Sequence, residues 1–181
     1  MRAVILDACG TLNLVASGQF TSILSVLRHD WYIPVAVEQE TQTYRQPDPE
    51  DPEQLVKVPI DLAPAISQGL LKRCACETDE ETALYVQLAA RIGDDGESMG
   101  LAIARCRGWA VLTDDKKARR IATELGVEVL GTAEILRAWV ETVHPLAAEL
   151  ALVLQAIERF ANYRPKPGTP LADWWRKSTG Y

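Results

Sequence analysis

An apolar run that ends abruptly on a carboxylate constrains this chain more than any other feature. Residues 2–6 read Arg-Ala-Val-Ile-Leu, and Asp7 follows at once. A short run of this kind, without the alternation of a half-exposed strand, is the pattern of a strand buried on both faces, as inside a parallel sheet. In such a sheet ligands bind beyond the C-terminal ends of the strands, where the strand order reverses. Asp7 occupies that kind of position.

The remaining segments supply strands and helices in alternation. Apolar residues from Leu12 to Leu27 recur at helical spacing and predict one or two helices to about Arg28, broken near Gly18. Trp31 to Ile33 reads as a second strand. Pro34 suits the first turn of a helix, which the pattern continues from Val35 to Arg45. Residues 46–53 hold Pro47, Pro49 and Pro52 among four acids and read as a surface loop. Strands are expected at Leu55 to Ile60 and Leu70 to Cys76, with a short helix from Asp61 to Gln68 between them. Thr78-x-x-Glu81 is a capping box opening a helix that ends near Gly93. There follow a helix from Gly96 to Arg107, a strand from Trp109 to Leu112, a helix from Asp115 to Leu125, a strand from Val127 to Leu130 and a helix from Thr132 to Val143. Pro145 restarts a helix to about Phe160, and the proline-rich tail after Tyr163 reads as extended. The expected fold is α/β, a Rossmann-like parallel sheet flanked by helices, with a C-terminal helical extension.

A length of 181 residues suits one domain, residues 1–144, carrying an appendage, residues 145–181. With 48% hydrophobic and 24% charged residues the chain can bury a core, which argues against disorder or a coiled coil. The first apolar run is too short for a signal peptide, and no run approaches a membrane span, so a cytoplasmic location without membrane contact is expected. Cys9, Cys74, Cys76 and Cys106 lack the spacing of a disulfide framework or a zinc site and read as reduced thiols. The formal charge of −6 is unevenly spread: residues 159–181 carry five cations against Asp173 alone, a net +4, which leaves −10 for the preceding residues. An acidic body is unsuited to broad nonspecific duplex binding but suits a carboxylate cluster that takes a metal.

Four segments bring acids toward one sheet edge. Asp7 ends the first strand, and Asp114 and Asp115 end the strand at 109–112. Glu40 shares a helix face with Val37, Thr41 and Tyr44, although a phase shift by one would bring Glu38 there instead. Glu97 shares a face with Gly100, Leu101 and Ala104. Crowded carboxylates repel unless a cation is present, and hard oxygen donors suit divalent ions. Structural readings stand beside this one: Asp114 or Thr113 as a helix cap, Glu97 as a partner of a helix dipole. Asp7 has no evident structural task.

The chain resembles the PIN-domain proteins, especially the prokaryotic branch with a Gly-Glu motif. The matching segments are Val4-Ile-Leu-Asp7, Ile33 to Glu40, Gly93-Asp-Asp-Gly-Glu97 running into Gly100 to Ala104, Leu112-Thr-Asp-Asp115 with Ala118 to Ala122, and Gly131-Thr132. The resemblance covers residues 2–140. It implies a Mg²⁺- or Mn²⁺-dependent endoribonuclease, often a homodimer and frequently the toxin of a toxin-antitoxin pair with an antitoxin protein as partner. Carried across position by position, the catalytic and metal-binding set is Asp7, Glu40, Glu97, Asp114 and Asp115, with Thr113, Lys116, Lys117, Arg119 and Arg120 as candidates for contacting RNA. Many members have Ser or Thr two positions after the first Asp, where this chain has Cys9.

Two other readings follow from the same residues. Asp7-Ala-Cys-Gly-Thr-Leu12 also resembles the opening motif of haloacid-dehalogenase-type hydrolases, in which the Asp is a covalent nucleophile; the Ser or Thr and the Lys which that family uses downstream have no counterparts here. The third reading is a catalytically inactive PIN-like module that binds RNA or protein. Phe160, Tyr163, Trp174, Trp175 and Tyr181 interleave with cations in the tail, which suits stacking on single-stranded bases or docking of the tail onto the core. His29 and His144 are isolated and support neither a His-based triad nor a zinc site.

Overall fold

The strand expected at residues 2–6 forms the middle of the sheet. In the computed structural model, which describes residues 1–39, 43–51 and 53–180, Val4, Ile5 and Leu6 are fully buried. The elements in chain order are β1 (Ala3–Leu6), α1 (Ala8–Ala16), α2 (Phe20–Val26), β2 (Asp30–Pro34), α3 (Val35–Gln39), β3 (Thr43–Pro47), β4 (Leu55–Pro59), α4 (Ala63–Ser67) and β5 (Leu71–Cys74). They continue with α5 (Asp79–Ile92), α6 (Asp95–Arg107), β6 (Ala110–Leu112), α7 (Lys116–Leu125), β7 (Val129–Leu130), α8 (Thr132–Val143), α9 (Ala147–Phe160) and α10 (Ala172–Thr179). No helix among the described residues is long and apolar enough to cross a membrane. By their contacts the residues fall into two units.

The first unit comprises residues 1–11, 28–41 and 61–132. Its five-stranded sheet has the order β5-β2-β1-β6-β7, with every pairing parallel. The chain builds outward from β1 through β2 to β5, then returns to the other flank of β1 with β6. Strand order therefore reverses at the β1/β6 boundary. Ile5 pairs with Tyr32 on one side and Val111 on the other, so β1 has no free edge. Ile5 and Val111 join Leu88, Ile92, Leu101 and Ile103 of α5 and α6 in one apolar cluster.

One buried carboxylate in this unit is neutralised within the chain. Glu81 closes the capping box predicted from Thr78: its backbone N–H donates to Thr78 Oγ1 at 3.1 Å, and its carboxylate accepts from the Glu77 and Thr78 backbone N–H groups at 2.7 and 3.3 Å. Arg107, at the far end of α6, adds bonds to both Glu81 oxygens at 2.6 and 3.0 Å and donates to the Ala75 carbonyl at 2.9 Å.

The second unit comprises residues 12–27, 42–60 and 133–181. The sequence reading needs three corrections, of which the one at Pro34 falls in the first unit. The helix expected to run to Arg45 stops at Gln39 within the described residues, and Thr43–Pro47 is instead a strand paired antiparallel with β4, Thr43 opposite Pro59 and Pro47 opposite Leu55. Alternating side chains at Thr43, Tyr44, Arg45 and Gln46 suit a pleated strand once Leu55–Pro59 is there to pair with it. Consequently the loop expected over 46–53 begins two residues later; Asp48 and Asp51 shape its turns by accepting from the Glu50 and Glu53 backbone N–H groups at 2.8 and 3.2 Å. Pro34 ends β2, opposite Cys74, rather than opening a helix.

The third correction concerns the tail, which is not extended throughout. Residues Ala172–Thr179 form α10, which packs on α9 through the buried Trp175, whose Nε1 donates to Glu158 Oε1 at 2.9 Å. Gln155 Nε2 also donates to the Thr179 carbonyl at 3.1 Å. Eight residues are too few for helical periodicity to stand out, and the burial of one aromatic side chain supplies the stability that local propensity lacks.

The Glu81–Arg107 pair yields a stability prediction. Arginine and backbone hydrogen bonds hold Glu81 well below the ordinary carboxylate range, at about 2 against 4.5 unfolded. Its contribution is complete above pH ~4.5 and is lost as pH falls toward 2. Arg107→Met leaves a buried carboxylate without its counter-ion and should cost about 3 kcal/mol at pH 7. Thermal unfolding followed by circular dichroism should show that deficit shrinking by pH 3.

Candidate active site

At the boundary where strand order reverses, β1 delivers Asp7 and β6 delivers Thr113, Asp114 and Asp115. The Asp7 backbone N–H donates to the Leu112 carbonyl at 3.2 Å, which ties the two strand ends together. The chain then turns sharply into α1. Gly10 makes that turn possible, since a Cβ there would stand 2.8 Å from Leu112 Cγ and 3.0 Å from the Leu112 carbonyl oxygen. In return the Gly10 N–H donates to Asp7 Oδ1 at 2.6 Å. The orientation of Asp7 is therefore set by the backbone of the first helical turn.

Cys9 is half-buried beside it. Its thiol lies 3.1 and 3.3 Å from the two Asp7 carboxylate oxygens, and its sulfur accepts from the Asp114 backbone N–H at 3.2 Å. Burial, then the charge of Asp7, pushes the thiol far above its usual range, so Cys9 stays protonated and serves as a donor to Asp7. Thr113 Oγ1 is 3.7 Å from the same sulfur and accepts from the Asp115 backbone N–H at 3.1 Å.

Glu97 arrives from the opposite wall, in the first turn of α6. Asp94 caps that helix by accepting from the Glu97 N–H at 2.8 Å. Gly100, one turn on, allows the helix to cross close over β1: a Cβ there would be 3.3 Å from Ile5 Cγ2 and 3.5 Å from Pro34 Cγ. Asp7, Glu97, Thr113, Pro34 and Gly100 line a single narrow opening of about 10 Å³, roughly the space of one water.

The electrostatics differ sharply from those at Glu81. Burial, opposed by hydrogen bonds from Thr113, Gly10 and Cys9, raises Asp7 to about 6, with a further push from Asp114. Burial, then the charges of Asp115, Asp94 and Asp7, raises Glu97 to about 7. Both acids thus face other acids.

The other predicted site residues have different placements. Asp115 is the N-cap of α7, accepting from the Lys117 and Ala118 N–H groups at 2.7 and 2.9 Å. Asp114 turns to Thr132, whose N–H lies 3.2 Å from both carboxylate oxygens and whose hydroxyl donates to Oδ2. Asp115 therefore fills the capping role that the sequence reading offered to Asp114 or Thr113. Glu40 lies outside the described residues; its expected face partner Tyr44 belongs to β3. Among the basic candidates, Lys117 Nζ donates to the Ile92 carbonyl at 2.7 Å, Arg119 to the Thr113 carbonyl at 3.0 Å, and Arg120 pairs with Glu124 at 2.6 Å. Lys116 is exposed at the first position of α7.

Sequence reasoning missed Cys9 as a bridge between the two strand ends, Asp94 as a cap and Thr132 as the holder of Asp114. Only Asp94 had a local signal, the Asp-x-x-Glu spacing ahead of an apolar helix.

The family whose profile matches the chain, over residues 3–164, is described as a PIN domain. The chain belongs to the PIN-domain family. No curated protein matches it. PIN domains are generally nucleases, and the parallel sheet with acids at its reversal point agrees with that assignment. PIN nucleases typically use divalent metals. Among the described residues no three His, Cys, Asp or Glu side chains form a ligating group. Mg²⁺ nevertheless is commonly held by one or two carboxylates plus water and substrate phosphate, and Asp7 and Glu97 supply two hard donors at one opening.

The separate fates of the acids can be told apart by stability. The folded pKa of Asp7, about 6 against 3.8 unfolded, means a penalty absent below pH ~4, growing through pH 6 and complete above it, equivalent to about 3 kcal/mol. Metal-free Asp7→Asn should therefore melt higher than wild type at pH 7.5 and gain little at pH 4. Asp115→Ala should instead lower stability by about 1 kcal/mol, the cost of removing a cap, as read by urea denaturation.

Proposed function

We propose that this PIN domain is a divalent-metal-dependent endoribonuclease with Asp7 and Glu97 at its reaction centre. The convergence of these two carboxylates on one opening at the β1/β6 boundary carries the reading. Their raised pKa values signal a site whose charge is tuned for a cationic ligand. Glu40 completes the proposed donor set from its place in the sequence, and Asp114 and Asp115 shape the field around it.

Mg²⁺ or Mn²⁺ bound there would supply positive charge for a scissile phosphate and Lewis acidity for a water. The chain's own part is positioning. Asp7, fixed by Gly10 and Cys9, and Glu97, fixed by the first turn of α6, would hold the cation through their carboxylates. Asp115 anchors α7 and acts on Glu97 through its charge. Lys116 offers an exposed cation to the phosphates of an approaching strand, and Thr113 presents a hydroxyl at the wall of the opening. The buried face of β1 excludes bulk water from one side.

Cleavage of a labelled single-stranded RNA in Mn²⁺ should fall by about 10²-fold or more in Asp7→Asn and in Glu97→Gln. Millimolar Mn²⁺ should raise the melting temperature of the wild type and do so less in each variant. Wild-type rates in Asp7→Asn would defeat the proposal. So would a covalent adduct on Asp7, detected by intact mass spectrometry after incubation with a small phosphate ester, since that marks a dehalogenase-type nucleophile.

A further inference from the structure

β6 ends at Leu112, and the peptide unit between Thr113 and Asp114 carries the chain out of the sheet. The Thr113 N–H is still tied to the neighbouring strand, donating to the Leu130 carbonyl at 3.0 Å. The Thr113 carbonyl, past the last paired residue of β6, takes its hydrogen bond from a side chain: Arg119 Nη1 donates to it at 3.0 Å. The other end of the same peptide unit is held as well, since the Asp114 N–H donates to Cys9 Sγ at 3.2 Å. A peptide is planar, so its carbonyl and N–H turn together, and bonds at both ends fix one orientation.

Arg119 is suited to this task by its place in α7. Its backbone N–H donates to the Asp115 carbonyl at 3.0 Å, one turn past the cap, and a helical side chain leans toward the helix N-terminus. The guanidinium is thereby brought back to the turn that precedes the helix. It is half-buried there, whereas Lys116 and Arg120 are exposed. Arginine stays charged and its planar fork donates in fixed directions, so the bond is both charge-assisted and oriented.

The peptide passes this orientation on. A cation at the carbonyl polarises the unit and strengthens its N–H as a donor. That N–H fixes the Cys9 sulfur, and the Cys9 thiol lies 3.1 and 3.3 Å from the two oxygens of Asp7. The path from α7 to the end of β1 therefore runs through one peptide and one thiol.

We propose that Arg119 is a positioning residue for the nuclease reaction: it clamps the Thr113–Asp114 peptide so that Cys9 holds Asp7 in place, and it makes no contact with RNA. The proposal rests on the ribonuclease reading for the reaction that Asp7 serves. The clamp itself can be measured without metal or RNA.

The test begins with metal-free, full-length protein labelled with ¹⁵N. Amide exchange at Asp114 should accelerate by at least about tenfold in Arg119→Met, although Arg119 touches only the opposite end of the peptide, while Val111 inside the sheet keeps its wild-type rate. In the wild type, where no variant has to fold, the guanidinium protons of Arg119 should be resolved and slow to exchange. Cleavage of single-stranded RNA in Mn²⁺ should lose about tenfold in kcat in Arg119→Met, with KM for RNA within about twofold of wild type. Cys9→Ala cuts the same path further along, so the double variant should lose little more than the worse single one.

An Asp114 amide unaffected by Arg119→Met, or a wild-type Arg119 guanidinium exchanging as fast as that of an exposed arginine, would overturn the clamp. A raised KM at unchanged kcat, with the salt dependence of log KM reduced by about 0.7, would make Arg119 a phosphate contact and reject the positioning role. Losses that simply multiply in the double variant would reject the path through the thiol. If the wild type cleaves no RNA while Arg119→Met frees the Asp114 amide, the ribonuclease reading falls and the clamp stands. If the wild type cleaves and Arg119→Met keeps its kcat, the positioning role falls and that reading stands.

Discussion

Everything at the candidate site depends on β1 being enclosed between two parallel neighbours. Val4, Ile5 and Leu6 are without solvent exposure, and both edges of the strand are bonded. A slip of one residue would exchange the two faces and break both registers, so the strand has one placement. The chain can then leave the sheet only at Asp7. Two close approaches convert that placement into a site: Gly10 lets the next helix fold back against Leu112, and Gly100 lets α6 lie against Ile5 and Pro34. Bulk at either position would push the walls of the opening apart.

Acids crowd this edge, and the fold disposes of their charge unequally. Asp94 and Asp115 each rest on the N-terminus of a helix, where orphan N–H groups and the helix dipole favour a negative charge. Asp114 is tethered by Thr132. What remains unrelieved falls on Asp7 and Glu97. Glu81 provides the internal contrast: it is as buried as Asp7, yet an arginine of the same unit holds it ionised. Burial alone therefore does not set a carboxylate's behaviour here. At Asp7 and Glu97 burial prevails, whereas at Glu81 the bonds from Arg107 outweigh it.

The parallel sheet, the capping box at Thr78 and the positions of Asp7 and Glu97 were legible because each follows from residues close together in sequence. The hairpin was not. Val37, Glu40, Thr41 and Tyr44 have helical spacing, but Thr43 to Gln46 also alternate, and the choice between them is made by pairing with β4, a separate segment further along the chain. Asp114 and Asp115 were opaque for a finer reason. Which one caps α7 turns on a single residue of helix start, and what Asp114 does instead depends on β7 bringing Thr132 alongside. The tail's helix likewise needed α9 as a surface before Trp175 could be buried.

The pairing of β1 with β6 has a consequence for synthesis. Val4 meets Ala110 and Leu6 meets Leu112, so the middle of the sheet joins the chain's beginning to residues more than a hundred positions later. At roughly 5–20 residues per second, the ribosome delivers β6 several seconds after β1 has emerged. During that interval this apolar strand has at best one partner, and its other edge is open to any extended chain nearby. Loop closure over that span makes this a late and slow step relative to formation of α5 and α6. The nascent protein is thus most exposed to mispairing along the same strand that later carries Asp7.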